Sequence, residues 1–278
     1  MKAAQFNYVC ATSIQEALGI LTASGERAKL LAGSQSLGPM LNLRLARPDT
    51  VVDVSKLAAL QTVTRHQNFI RVGASVTHAQ IEDGVFDLLR NHPLQMVASR
   101  IAYRSVRNRG TMGGSLAHAD PAADWVLACA ALDARIEIQS PSGTKLVAMS
   151  DFMQAAYTTV LASDDMIVAV HFPEVSSRAR WGYQKFCRKT GEFAHASCAT
   201  YIDPASKVAR IVVGALDGAP CVLDDLAAQV AAQGLEGFDV GAVLAALLKA
   251  LPQQDPITRQ MFVQVVLRCV QQAFGVQG

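Results

Sequence analysis

Two stretches of small residues interrupt this chain, each between an apolar run and a helical segment. The first, LLAGSQSLGP, spans residues 30–39, and the second, RNRGTMGGSLAHADPAAD, spans residues 107–124. Glycine and serine leave the main chain bare, so successive N–H groups can approach an anion closely. A helix that begins at such a loop adds the positive end of its dipole. Neither stretch contains the lysine of a nucleotide-triphosphate loop, so the pattern indicates a diphosphate held by uncharged donors.

Both loops would contribute donors to the same diphosphate if the fold brings them together. In the first loop the donors would be the main-chain N–H groups of residues 33–36 and the serine hydroxyls. In the second loop they would come from Thr111, Gly113, Gly114 and Ser115. A single glycine loop can equally be a plain turn, so the prediction depends on both loops closing on one ligand from opposite sides.

Two carboxylates, Asp120 and Asp124, lie four residues apart at the end of the second stretch. A carboxylate is repelled by phosphate but accepts hydrogen bonds from the hydroxyls of a ribose or ribityl chain. Asp120 precedes Pro121 and could be only a helix N-cap, whereas Asp124 would lie inside the first turn, which favours a ligand role. His118 could contact the ligand or have a structural role. The GxGxxG fingerprint is absent, so the predicted scaffold is not a Rossmann domain.

The elements around the first loop are those of a small parallel βαβ unit. The strand AKLLAG leads into the loop, a helix is predicted from Pro39 to just before Pro48, and TVVDVS forms the next strand. Upstream, Ser13 is placed to cap a helix that Gly25 ends. The first loop is therefore expected at the carboxyl end of a buried parallel strand.

A second set of elements surrounds the second loop. Residues 79–89 and 94–102 are predicted to be helical, and a further helix is expected to start at Asp120. A hairpin with its turn at residues 141–143 and the strand DMIVAVHFP follow. These elements predict a mixed or antiparallel sheet beside the loop.

The pattern changes near residue 175, where we predict a boundary between two domains, residues 1–175 and 176–278. Beyond it, several short strands indicate an antiparallel sheet. Three helices are predicted after that sheet, near residues 224–232, 240–251 and 257–273.

Composition excludes several classes of protein. The chain has 278 residues, of which 25 are basic and 23 acidic, and this balance argues against binding to nucleic acid. No unbroken apolar run is long enough for a membrane helix. The six cysteines are scattered without CxxC pairs, so we predict no metal site in this chain and a cytoplasmic location with reduced thiols.

Three segments carry a resemblance to a known family: AGSQSLGPMLNLRLARPDTVVDVS, VRNRGTMGGSLAHADPAAD and YQKFCRKTGEFAHAS. They resemble the FAD-binding medium subunit of the molybdenum hydroxylases, the family of aerobic carbon monoxide dehydrogenase and xanthine dehydrogenase. The resemblance covers essentially the whole chain. It implies an α+β fold, in which a two-subdomain FAD-binding domain (a small parallel βαβ part and a mixed or antiparallel sheet part) precedes an antiparallel sheet with helices.

The resemblance also implies FAD as the cofactor and assigns its contacts. The pyrophosphate would lie between the two loops, and Asp124 would contact polar groups of the flavin nucleotide. Ile101 and Ile167 would contact the flavin as apolar residues, and Lys185 would lie near its ring. The full predicted cofactor-binding set is Leu30, Leu31, Ala32, Gly33, Ser34, Gln35, Ser36, Leu37, Ile101, Thr111, Gly113, Gly114, Ser115, His118, Asp120, Asp124, Ile167 and Lys185.

Two positions depart from the family pattern. Ser34 stands where the first loop usually has a second glycine, so it must either avoid a glycine-only conformation or accept some strain. Glu192 stands where an aspartate is common.

The function implied is electron transfer, with no catalytic acid, base or metal in this chain. Substrate would be hydroxylated at a molybdenum cofactor in a large partner subunit, and electrons would pass through [2Fe-2S] clusters of a small subunit to the FAD. The acceptor could be NAD, oxygen or a quinone, and the complex is expected to be a dimer of heterotrimers. Two alternatives stay open: a stand-alone FAD-dependent oxidase and a non-enzymatic nucleotide-binding module.

Overall fold

Four sheets and eleven α-helices make up the part of the chain described by the computed structural model, residues 2–276. The strands are β1 Asn7–Cys10, β2 Ala28–Leu31, β3 Thr50–Asp53, β4 Val63–His66, β5 Phe69–Gly73, β6 Arg135–Ser140, β7 Gly143–Ala148, β8 Met153–Ala155, β9 Thr158–Thr159, β10 Met166–Pro173, β11 Arg180–Phe186, β12 Ala196–Asp203, β13 Val208–Gly214 and β14 Cys221–Val222. The helices are α1 Ile14–Ser24, α2 Leu37–Asn42, α3 His78–Glu82, α4 Pro93–Ser99, α5 Arg104–Arg107, α6 Met112–His118, α7 Asp124–Ala131, α8 Met149–Phe152, α9 Asp224–Gln233, α10 Val240–Ala250 and α11 Pro256–Ala273.

The first sheet is the parallel unit that the sequence predicts. Its order is β1-β3-β2, and both pairings with β3 are parallel. The Ser13 hydroxyl accepts a hydrogen bond from the Glu16 N–H at 3.1 Å, and Gly25 ends α1 with a positive φ of 56°. The predicted strand–loop–helix–strand arrangement is confirmed, and residues 32–36 form the loop at the end of β2.

The second sheet is antiparallel, in the order β4-β5-β10-β6-β7. One face buries Ile70, Val72, Ile136 and Val170 against helices α4 and α7. A bulge at Val168 in β10 turns Met166 and Val168 toward the core of the first sheet, where they pack with α1. The second sheet therefore contributes to two cores and joins the two subdomains.

The third sheet, β11-β12-β13-β14, is antiparallel and lies between two layers. Tyr183, Ala199 and Tyr201 on one face belong to the same core as the second sheet. Residues on the opposite face, such as Cys198 and Ile211, pack against α9, α10 and α11. The α+β class and the three predicted C-terminal helices are confirmed.

No helix within residues 2–276 combines the length and the apolar character needed to cross a membrane.

The predicted helix that follows the first loop is shorter in the structure. Helix α2 begins at Leu37 rather than Pro39 and ends at Asn42. It ends there because Arg44 adopts a left-handed φ of 59° and the Leu45 N–H donates to the Met40 carbonyl at 2.8 Å. The sequence pattern carries no signal for a left-handed arginine.

The predicted helix over residues 79–89 is interrupted. Helix α3 ends at Glu82, Gly84 takes a positive φ of 61°, and a single 3₁₀ turn follows at Asp87–Leu89. The helix predicted for 94–102 likewise stops at Ser99, before Ala102 with a φ of 41°. This early stop leaves residues 100–103 as a turn.

A charge cluster on the second sheet gives a test of how the sheet is held. Glu137 binds Arg71 through both oxygens, at 2.7 and 3.1 Å, and lies 2.6 Å from Nε2 of His171. The His171 hydrogen bond is the largest cause that lowers the pKa of Glu137 from 4.5 to about 2, against the effect of burial. Because the folded pKa is depressed, this stability is present above pH 4.5 and is lost as the pH falls through about 2.

We expect Glu137→Gln to lower the free energy of unfolding at pH 7 by about 2 kcal/mol, since it removes charge-assisted hydrogen bonds and leaves Arg71 uncompensated. Urea unfolding from pH 7 down to pH 3 measures this, and the difference should shrink below pH 4.5, where the carboxylate of the unfolded wild type takes up a proton that the folded protein does not yet bind. Glu174→Gln is the matched control, because its partner Arg65 is 63% exposed and the pair should contribute less than about 1 kcal/mol. Equal losses in both variants would contradict the prediction.

Candidate functional site

The two small-residue loops are in direct contact. A Cβ placed on Gly33 would lie 2.0 Å from the carbonyl oxygen of Arg109 and 2.8 Å from Cα of Gly110. Only a residue without a side chain can occupy position 33 at this separation. The fold therefore brings together two loops that are about eighty residues apart in the sequence.

The first loop presents free main-chain donors. Among the described residues, the N–H groups from Gly33 to Ser36 have no acceptor. Ser34 adopts a left-handed φ of 61°, which costs a non-glycine residue about 1–2 kcal/mol. The carbonyl of Ser34 accepts from Gly38 at 3.0 Å, and the Gln35 side chain donates to the Gly33 carbonyl at 2.8 Å. The structure thus settles how the serine is accommodated: it takes the strained conformation, and the loop folds back on itself to hold it.

The second loop is different, and the prediction that it offers free N–H groups needs correction. Gly113 donates to the Ala74 carbonyl at 2.9 Å, and Ser115 donates to the Thr111 carbonyl at 3.1 Å. Gly114 donates to the Thr111 hydroxyl at 3.2 Å, which is a helix N-cap bond. These donors are used to anchor α6. What the loop offers a ligand is the exposed main chain at Gly114 and the half-buried hydroxyl of Ser115.

A buried polar group lies where α7 and the end of α4 meet β11. Lys185 donates to Asp124 Oδ1 at 2.9 Å and to the Arg100 carbonyl at 2.7 Å. The Tyr183 hydroxyl donates to the same Asp124 oxygen. Both charged side chains are only 8% exposed, and burial together with the Asp124 charge raises the pKa of Tyr183. Asp124 is thus a carboxylate held by donors from the C-terminal sheet.

The two predicted apolar contacts, Ile101 and Ile167, lie near different parts of the site. Ile101 follows Arg100, whose carbonyl binds Lys185, and is half-buried. Ile167 precedes Val168, whose carbonyl accepts from Ala74 at 3.0 Å, and the Ala74 carbonyl in turn accepts from Gly113. The structure therefore places Ile101 beside the Lys185 group and Ile167 beside the second loop.

His118 and Asp120 have a different partner, Tyr157 at the tip of the β8–β9 hairpin. The His118 and Tyr157 rings lie 5.2 Å apart, and the Tyr157 hydroxyl donates to Asp120 at 3.2 Å. The prediction that Asp120 starts a helix is wrong. Its carboxylate accepts from the Ala122 N–H in a local turn, and α7 begins only at Asp124.

Two residues of the site were missed from the sequence. Tyr183 binds Asp124, and Arg100 supplies the carbonyl for Lys185 while its guanidinium donates to the Tyr183 carbonyl at 2.9 Å. A signal for Tyr183 existed, because residues two apart in a strand share a face and Lys185 was already assigned to the site. No sequence pattern indicated Arg100. Its carbonyl can accept from Lys185 because α4 ends at Ser99, and that early end was not predicted.

Comparison with known proteins gives the class of this fold and site. The family described as the FAD binding domain in molybdopterin dehydrogenase matches residues 4–175. The nicotine 6-hydroxylase medium subunit of Paenarthrobacter nicotinovorans is 36% identical over 78% of this chain and 77% of its own length. From the same organism, 6-hydroxypseudooxynicotine dehydrogenase complex subunit alpha is 31% identical over 92% of this chain and 87% of its own length. The structure of carbon monoxide dehydrogenase from Hydrogenophaga pseudoflava aligns with a TM-score of 0.89 at 28% identity, covering 99% of both chains.

These matches define the class as oxidoreductase subunits that carry an FAD-binding domain. The chain belongs to the FAD-binding medium subunits of the molybdenum hydroxylase family.

The contact at Gly33 can be tested directly. Gly33→Ala would push a methyl group into the Arg109 carbonyl, so the two loops must separate, and we expect the purified protein to lose most of its FAD. Flavin absorbance per chain measures the loss. Gly19→Ala is the control, because nothing lies within 4 Å of that position in α1, and it should keep its flavin. Full FAD content in Gly33→Ala would show that the contact is not needed.

Proposed function

We propose that this chain is the electron-transfer subunit of a molybdenum-dependent hydroxylase, in which FAD receives electrons from a [2Fe-2S] subunit and passes them to an external acceptor. The observation that carries the proposal is the pair of touching loops with free N–H groups on one side, in a chain of this family. When bound, FAD supplies the redox chemistry, and the protein supplies position and electrostatics. The large molybdenum subunit, the small [2Fe-2S] subunit and a dimer of heterotrimers are part of the proposal.

The residues at the loops fit a diphosphate. The N–H groups from Gly33 to Ser36 are free to donate, and neither residues 30–37 nor residues 107–115 include a carboxylate. Small residues there leave room for phosphate oxygens to reach the main chain. The proposed pyrophosphate contacts are therefore residues 30–37, with Gly114 and Ser115 lining the other side.

The proposed contacts of the ring are Ile101, Ile167 and the Asp124–Lys185 pair. Asp124 can accept a hydrogen bond from a ribityl or ring N–H or hydroxyl group, because Tyr183 and Lys185 both bind only one of its oxygens. Lys185 brings a positive charge that would stabilise a reduced, anionic flavin.

The division of the chain at residues 175 and 176 is also part of the proposal. It is supported by the family match, which ends at residue 175, and by the third sheet, which begins at Arg180.

A cytoplasmic location is supported by the six cysteines, which are all free thiols.

An exposed aromatic rim supports a partner beside the ring pocket. We define this rim as Tyr103, Phe186 and Phe193, which are 58%, 47% and 63% exposed. Phe186 follows Lys185 directly, and the Tyr103 ring lies next to Gly191 in the loop that carries Phe193. Exposed aromatic side chains grouped in this way are typical of protein–protein interfaces.

Replacing Lys185 tests the electrostatic part of the proposal. Lys185→Met leaves the Asp124 carboxylate without its counter-ion, so the midpoint potential of the flavin should fall by about 30 mV or more in a redox titration. The double variant Lys185→Met with Asp124→Asn removes both charges and should return the potential toward that of the wild type. An unchanged potential in the single variant counts against a Lys185 charge near the ring.

Replacing Phe193 tests the partner surface. Phe193→Asp puts a charge on the aromatic rim, and we expect molybdenum and iron to be lost from the purified complex while FAD stays bound to this chain. Ile257→Asp is the control, because Ile257 is 79% exposed on the C-terminal helix α11. A complex that survives Phe193→Asp would place the partner elsewhere, and a purified wild-type complex without molybdenum would contradict the proposed function itself.

A further inference from the structure

We infer that Arg107 is a positioning residue, which holds the turn at Ile101 and Ala102 in shape for the flavin ring. The inference rests on the proposed function, because Ile101 is a proposed ring contact. Arg107 itself need not touch the cofactor. It acts through the turn, with Glu82 as its counter-ion.

The hydrogen bonds of Arg107 divide into two sets. Nε and Nη2 bind the two oxygens of Glu82 at 2.7 and 2.9 Å, in a bidentate pair. Nη1 donates to two successive carbonyls, those of Ile101 at 2.9 Å and Ala102 at 3.0 Å. The Arg107 side chain is only 12% exposed, so water competes little for these bonds.

The turn needs such support because of its backbone conformation. Ala102 has a φ of 41°, in the left-handed region that an alanine rarely occupies. In an extended chain successive carbonyls point to opposite sides, whereas here both point to the same nitrogen. The preceding carbonyl, that of Arg100, is the acceptor for Lys185. Holding Ile101 and Ala102 therefore also fixes the acceptor of the buried lysine.

Glu82 ties this arrangement to the second loop. It is the last residue of α3, and at the start of that helix the His78 N–H donates to the Gly110 carbonyl at 2.9 Å. Met112 donates to the Val76 carbonyl at 3.2 Å, just before α3. A short helix thus spans from the loop to the arginine, so Arg107 sets the ring side of the site relative to the diphosphate side.

The chain offers a matched control three residues away. Arg104 also binds Glu82, at 2.8 Å, and binds Asp83 as well, but it donates to no carbonyl of the turn. Its side chain is 48% exposed. Arg104→Gln and Arg107→Gln make the same change in charge beside the same carboxylate, and only the second releases the turn.

The test compares two ligands, FAD and ADP, on the full chain. ADP shares the adenosine diphosphate of FAD and lacks the ring. We expect Arg107→Gln to raise the dissociation constant of FAD by at least about tenfold, equal to ~1.4 kcal/mol of binding free energy. The dissociation constant of ADP should stay at its wild-type value. Fluorescence titration gives the FAD dissociation constant, and competition gives that of ADP. Arg104→Gln should leave both constants within about twofold, well below the tenfold step.

Arg107→Lys sharpens the test, because it keeps the charge but cannot span Glu82 and two carbonyls. We expect it to resemble Arg107→Gln. Equal weakening of FAD by the Arg104 and Arg107 variants, full recovery in Arg107→Lys, or parallel loss of FAD and ADP would each overturn the role of Arg107. A wild-type chain that binds FAD no better than ADP would instead overturn the proposed ring pocket.

Discussion

The van der Waals contact between Gly33 and the main chain of Arg109 and Gly110 is the constraint on which the rest of the site depends. The first loop belongs to the parallel sheet, and the second loop is anchored to the antiparallel sheet through Ala74. Since no side chain fits between them at Gly33, this contact fixes how closely the two loops approach each other. The packing of Met166 and Val168 against the first core keeps this contact in place from behind.

The other half of the site depends on charge rather than on close approach. Asp124 and Lys185 come from different parts of the chain, and each would be costly to bury alone. Their burial is possible because they neutralise each other as an ion pair. The Tyr183 hydroxyl donates a further hydrogen bond to Asp124, and the Arg100 carbonyl accepts one from Lys185. The proposed ring side of the site therefore combines α4, α7 and β11, and its buried ion pair forms only when β11 packs against α7.

The sequence predicted the parts of this arrangement that local patterns determine. The parallel unit, the hairpin and the C-terminal helices follow from periodicity, caps and turn residues, and the loops follow from their small residues. Two early helix ends were missed where a non-glycine residue takes a left-handed conformation, at Arg44 and Ala102, because no local preference indicates it. The break at Gly84 was missed although glycine favours that conformation. The state of the second loop was also missed. Two of its N–H groups donate to Ala74 and Val76, which lie just after the distant strand β5, and the N–H groups of Gly114 and Ser115 are used by the cap at Thr111.

Strand β11, at the edge of the third sheet, is packed on both faces. Tyr183 and Lys185 point toward Asp124, while Gly182 points toward α11, where a Cβ would come within 2.0 Å of the Cys269 carbonyl. Because the side-chain period of a strand is two, inserting or deleting one residue would exchange these faces. The buried carboxylate would then lose its donors, and a bulky side chain would meet the helix. We therefore expect an insertion in this part of the molecule to be tolerated only after Phe186, where the chain leaves the sheet and can lengthen without exchanging the faces of the strand.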